Sequence, residues 1–157
     1  MGLFSDLARD RATVREFSPE PLSDAEIAGI TGVGDLAPTS RNLRPVRLHP
    51  VTDTAVIREL AGCKSSGTRA LETATFAVVV AADPAVSDVW IEDCSIATVM
   101  MQFAAQDLGI GSCWIQVRLR DADGVPASET VKTICGLDHG LEVLSIVAFG
   151  RPRTGGV

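Results

Sequence analysis

The chain reads as an α+β protein with a sheet covered by helices on both faces, and three observations predict this. Helical and extended patterns alternate along 157 residues, a length that fits one domain over residues 1–157. Phe76-Ala77-Val78-Val79-Val80-Ala81-Ala82 is an unbroken apolar run, as in a strand buried on both faces. The stretch from Asp93 to Leu108 is apolar nearly all round at helical period, so it must be buried on every side. A domain this small struggles to bury it alone. This helix is therefore expected to pack both on its own sheet and on a second subunit.

The elements follow in order. Residues 3–10 form a short helix that leads into an extended stretch, Thr13 to Phe17. Ser18-Pro19-Glu20-Pro21 is extended or turn-forming, because proline restricts the residue before it. Ser23 with Glu26 three positions on makes a capping box for a helix from about Asp24 to Gly32. Leu36 to Pro45 has loop composition. Val46 to Val51 alternates like a half-buried strand, and Asp53 or Thr54 caps a helix through Ala61. Residues 62–72 are polar and aperiodic, a loop with at most a helical turn. Cys113 to Val117 and Val143 to Phe149 complete a set of four strands. A short helix from Ser128 to Cys135 stops at Gly136.

Composition excludes several functions. A net charge of −6 makes the chain a poor nucleic-acid binder, with only local basic spots at Arg9, Arg11 and Arg15 and at Arg41, Arg44 and Arg47, and 4% aromatics with no Tyr leave few platforms for stacking bases. The longest uncharged run, Cys94 to Gln106, falls well short of the roughly 20 residues that span a bilayer. The opening residues lack a basic region followed by an apolar run, so a cytoplasmic location is expected. Cys63, Cys94, Cys113 and Cys135 show no metal-site spacing and read as reduced, buried thiols. No metal site is expected.

Three segments carry chemistry. In Arg11-Ala12-Thr13-Val14-Arg15-Glu16-Phe17, alternation puts Arg11, Thr13 and Arg15 on one face, two guanidinium forks and a hydroxyl suited to a phosphate. Alone, the pattern equally fits a solvated edge strand. Ala37-Pro38-Thr39-Ser40-Arg41-Asn42-Leu43-Arg44-Pro45 concentrates hydroxyls and an amide between rigid prolines. Such a loop can bond the edge of a polar heterocycle, or it can simply be a turn. Leu108-Gly109-Ile110-Gly111-Ser112-Cys113-Trp114 ends the long helix with two glycines that admit another backbone or a ligand. Glu92-Asp93 fits an acid/base pair or a helix N-cap. His49 and His139 fit structural or solvent-facing roles.

Together and in this order, the three segments resemble the nitroreductase-like FMN-dependent oxidoreductases. The first is similar to the family's Arg-x-Ser-x-Arg-x-Phe/Tyr opening, and the second to its Ala-Pro-Ser-x-x-Asn-x-Gln-Pro-Trp loop. The match resumes at Trp90-Ile91-Glu92-Asp93-Cys94-Ser95-Ile96-Ala97 and ends with the third segment, so it covers residues 10–150. The resemblance implies a three-layer α/β/α sandwich with a mixed, mainly antiparallel sheet of about four strands. It implies a homodimer with two FMN sites at the interface, NAD(P)H as co-substrate and a small-molecule electron acceptor, turned over in ping-pong order. Arg11, Thr13 and Arg15 of one subunit would hold the phosphate and ribityl chain. Pro38, Thr39, Ser40 and Asn42 would come from the other subunit. The Gly111-Ser112 backbone would lie near the ring, where peptide N–H groups stabilise reduced flavin.

The chain departs from the pattern at Arg44, where Gln is usual, and at Val46, where Trp is usual. It ends soon after Phe149-Gly150-Arg151-Pro152, where relatives continue to a further basic residue for the phosphate. Arg151 or Arg153 is the expected substitute. An alternative function of another class is a non-catalytic, flavin-binding or structural dimer of the same fold.

Overall fold

The computed structural model describes residues 2–154. The elements are α1 (Leu3–Asp10), α2 (Asp24–Asp35), β1 (Val46–Val51), α3 (Thr54–Leu60), β2 (Phe76–Ala82), α4 (Trp90–Asp107), β3 (Gly111–Gln116), β4 (Asp121–Ala122), β5 (Val125–Pro126), α5 (Ala127–Cys135) and β6 (Glu142–Gly150). Four strands make one sheet in the order β1-β2-β6-β3, with every neighbouring pair antiparallel. A single parallel bridge, Thr13 to Ser112, makes the sheet mixed.

Alternation along β2 builds the three layers. Ala77, Val79 and Ala81 face α3 and α5 and join Ile57, Leu60 and Val131 in one core. Phe76, Val78, Val80 and Ala82 face the other way and join Ile30, Cys94, Met101 and Ala105 of α2 and α4. All seven β2 residues are buried, as the apolar run predicts. A bulge opposite Val80/Ala81 shifts the register of β6. Ser145, opposite Val80, shares the α4-facing side with Val147 and Phe149, and its hydroxyl meets that of Thr98 at 3.0 Å. That pairing satisfies two buried polar groups that would otherwise be costly.

Several boundaries move. The capping box forms as expected, the Ser23 side chain accepting from Glu26 N–H at 3.2 Å and the Glu26 carboxylate from Ser23 N–H at 2.7 Å. The helix behind it runs on through Gly32 to Asp35. Gly34 lets it do so, since a Cβ there would stand 2.7 Å from both Leu48 and Met101. The long helix α4 starts at Trp90, three residues before Asp93. The hairpin of β4 and β5 is not in the sequence reading, although Asp123-Gly124, with φ of 51° and 79°, is the dipeptide a tight two-residue hairpin turn favours.

One face of α4 is fully used within the chain: Cys94, Ala97, Thr98, Met101 and Ala105 are buried. The opposite face is only partly covered. Phe103 packs on Phe4 of α1 with ring centroids 5.1 Å apart, and Ile96 stays 37% exposed. No helix among the described residues is long and apolar enough to cross a membrane.

Candidate functional site

The three segments of interest lie at the two ends of α4. The first, Arg11 to Phe17, leaves α1 as an extended strand over the end of the sheet. Val14 N–H donates to the Ser112 carbonyl at 2.9 Å, and Phe17 N–H to the Thr73 hydroxyl at 3.0 Å. Val14 and Phe17 turn inward and are buried, while Arg11 and Thr13 stay half-buried and Arg15 is exposed. A pair of glycines makes room for this strand. Gly111 and Gly150 face each other across β3 and β6. A Cβ on Gly111 would lie 2.9 Å from Val14, and one on Gly150 would lie 2.8 Å from Phe17.

Gly111 and Ser112 lie behind the opening strand. Of the two visitors that glycines admit, the one present is the chain's own opening strand. Gly111 is covered by Val14. Ser112 is 3% exposed, its carbonyl taken by Val14 and its hydroxyl accepting from Gln102 at 3.3 Å.

Arg15 stands at the free edge of β3 with two cations that sequence reading did not single out. Burial pushes the Cys113 thiol up, and Arg15 and then Lys64 pull it partly back. Burial pushes the Lys64 ammonium down, and nearby Arg120 adds to that. Ser65 N–H donates to the Asp121 carbonyl at 3.2 Å, which ties the Lys64 segment to the β4 hairpin. A lone Lys in a polar, aperiodic stretch carries no periodic signal, so only the tertiary fold brings it to Arg15. Cys113 therefore has cationic neighbours in space but not in sequence. Burial still outweighs them, and it also raises Cys63, Cys135 and Cys94, the last to about 12.

At the other end of α4, the loop from Pro38 to Arg44 is held in an unusual backbone. Arg41, Asn42 and Arg44 have φ of 52°, 53° and 51°, a region that costs a residue other than glycine roughly 1–2 kcal/mol, Asn less. Specific bonds offset that cost. The Thr39 hydroxyl accepts from Arg44 N–H at 3.0 Å, and Arg47 donates to the Arg44 carbonyl at 3.0 Å. Ser40 N–H donates to the Asp93 carboxylate at 3.0 Å. Asp93 is 2% exposed and also accepts from the Ser87 hydroxyl at 3.3 Å. The N-cap expected of Asp93 is thereby corrected: Val89 occupies the cap, and Asp93, one turn into the helix, grips the loop. Pro38 and Asn42 are exposed, and Thr39 and Ser40 are half-buried.

Arg151 does not behave as a free cation. Its guanidinium lies 2.9 Å from Glu20 and 3.0 Å from Glu26. Two carboxylates already share its charge within the chain. Arg69 is likewise paired with Glu16.

Fold and site together define a flavoprotein-like sandwich with two polar segments waiting at opposite ends of one helix. The sequence profile described as the nitroreductase family matches residues 8–86 and 66–151. A protein of Archaeoglobus fulgidus, described as an NADH dehydrogenase/NAD(P)H nitroreductase, is 32% identical over 147 residues, covering 91% of this chain and 82% of its own. The structure of an FMN-dependent nitroreductase from Clostridium difficile superposes with a TM-score of 0.91 at 32% identity, covering 93% of this chain and 86% of that one. An NADH dehydrogenase/NAD(P)H nitroreductase structure from Parabacteroides distasonis gives 0.88 at 26% identity, covering 97% and 88%. The chain belongs to the nitroreductase family of oxidoreductases.

Proposed function

We propose that the protein is a homodimeric, FMN-dependent oxidoreductase that uses NAD(P)H to reduce small electrophiles such as nitroaromatics, quinones or enones. The observation that carries this reading is the separation of the candidate half-sites. Arg11, Thr13 and Arg15 sit where α4 ends. Pro38, Thr39, Ser40 and Asn42 sit where it begins, about 25 Å away for 18 residues at roughly 1.5 Å each. One ligand cannot touch both halves of one chain. Two chains related by a two-fold axis across the middle of α4 would set the beginning of one helix against the end of the other. The half-covered face with Ile96 and Phe103 would form the seam.

The donor set fits a phosphorylated flavin. Two guanidinium groups and a hydroxyl suit a phosphate, and Lys64 and Arg120 at the same edge add positive charge. A rigid, hydroxyl-bearing loop suits the polar edge of the ring system. The Clostridium difficile relative is described as FMN-dependent, which supports the same cofactor here. When bound, FMN supplies two-electron redox chemistry in ping-pong order, first with NAD(P)H and then with the acceptor. The chain's own residues do the rest. Arg11, Thr13 and Arg15 anchor the phosphate, the strained loop orients the ring, and the partner chain excludes water. Arg151, whose charge two carboxylates share, and the Gly111-Ser112 backbone, behind the opening strand, are the further contributors to this set. The four cysteines, free among the described residues, support a reducing cytoplasmic setting.

Arg15→Ala tests the assignment: purified protein should retain far less flavin while its dimer survives, and unchanged flavin content would count against the phosphate site. A non-catalytic flavin-binding dimer is the second reading, favoured by the commitment of Arg151 to Glu20 and Glu26. Bound flavin that neither NADH nor NADPH bleaches would select it.

A further inference from the structure

A separate cleft of about 550 Å³ opens between α3, the turn that precedes β2 and the C-terminal segment. It shares no residue with the set assigned above to the flavin; Arg153, which the sequence offered as one of two substitutes at the flavin phosphate, lines this cleft. Arg58 and Arg153 both line it, and neither forms an ion pair among the described residues. Uncompensated guanidinium pairs are notable in a chain of net charge −6.

The Arg58 group is also fixed. Its Nη1 donates to the Leu71 and Ala74 carbonyls at 2.5 and 2.8 Å, so one corner of the fork is anchored in the turn. Thr73 lines the cleft as well. Its hydroxyl already accepts from Phe17 N–H, which leaves its own proton to donate. The hydroxyl oxygen of Thr75, on the same wall, is the one buried side-chain oxygen without a hydrogen-bond partner among the described residues. Orphaned polar groups of this kind call for a missing partner. Glu72 also lines the cleft but forms no ion pair with either arginine among the described residues.

We propose that this cleft binds a phosphomonoester, its dianion held by Arg58 and Arg153 with a hydrogen bond from the Thr73 hydroxyl. Guanidinium forks match phosphate oxygens in geometry and charge. The cleft falls in the size range of sites for small organic ligands, larger than a bare anion needs. A phosphate carried on an organic body is therefore the expected occupant, with free phosphate as the weaker ligand.

Calorimetric titration with 5′-AMP and, separately, inorganic phosphate tests this. It is run on FMN-loaded protein freed of unbound FMN, at constant ionic strength and about pH 8, where a phosphomonoester is a dianion. Wild type should bind 5′-AMP saturably and more tightly than phosphate. Equal binding of the two would keep the site and make free phosphate its ligand. Arg153→Gln should weaken binding about tenfold or more. Arg153 makes only a backbone bond here, so its variant should fold, whereas Arg58→Gln strips two carbonyls of their donor. Glu72→Gln should tighten binding, a change misfolding would not produce. No saturable binding by wild type, or equal binding by wild type and Arg153→Gln, would overturn the proposal.

Discussion

The two ends of α4 solve the same problem in different ways. At its C-terminal end, the opening strand is placed by backbone pairing and by absence: Gly111 and Gly150 remove two side chains so that Val14 and Phe17 can lie on the sheet. At its N-terminal end, the loop is placed by presence. Thr39, Arg47 and a buried Asp93 hold a backbone with three left-handed residues. The first arrangement is robust, because it needs only space and the sheet. The second depends on individual hydrogen bonds, so single changes should release it. In the proposed function neither end is a site alone, and the chemistry is divided between them.

The largest expected effect breaks the first end. The double variant Gly111→Ala/Gly150→Ala forces two Cβ atoms into contacts under 3.0 Å. Each should cost about 1–3 kcal/mol of stability, read by denaturant unfolding. A double variant as stable as wild type would mean that the strand is not seated as described. Asp93→Ala probes the second end. It leaves Ser40 N–H without its acceptor and should cost about 1–3 kcal/mol as well as turnover. Asp93→Asn, which keeps an acceptor oxygen, should restore most of both, and equal damage from the two variants would argue against the loop-gripping role.

Arg15→Ala sharpens the contrast. It should leave unfolding unchanged yet weaken flavin retention by a factor on the order of 10 to 100, the worth of a charged hydrogen bond. The smallest effect concerns Glu26. The backbone N–H of Ser23, with further help from the Ser23 hydroxyl and Arg151, holds its carboxyl below the usual 4.5. A depressed carboxyl adds stability above its unfolded pKa and loses it as pH falls through the folded value. The stability gap between wild type and Glu26→Gln should therefore close on acidification below 4.5. A gap that does not vary with pH would exclude the ionised cap.

Much of this was legible in sequence. The four strands, the capping box at Ser23 and Glu26, and the buried run of β2 follow from local pattern, and the family resemblance rested on motifs in order. What was not legible depends on tertiary neighbours. Nothing near Gly111 in sequence says that Val14 will cover it. Asp93 reads as a cap because caps are local, while its real partner, Ser40, lies 53 positions away. The pairing of Arg151 with Glu26 spans 125 positions, and Lys64 and Arg15 come to the same thiol, Cys113, only through the fold. The Asp123-Gly124 hairpin, by contrast, was written in the sequence and simply passed over.

The most direct test of a divided site is complementation between chains. Arg15→Ala and the loop variant Ser40→Ala/Asn42→Gly should each lose flavin as homodimers. Co-refolded in equal amounts, they should regain about a quarter of the wild-type flavin content, because half the dimers are mixed and each mixed dimer holds one intact site. Recovery of none, from variants that still dimerise, would contradict a site built from opposite ends of two chains.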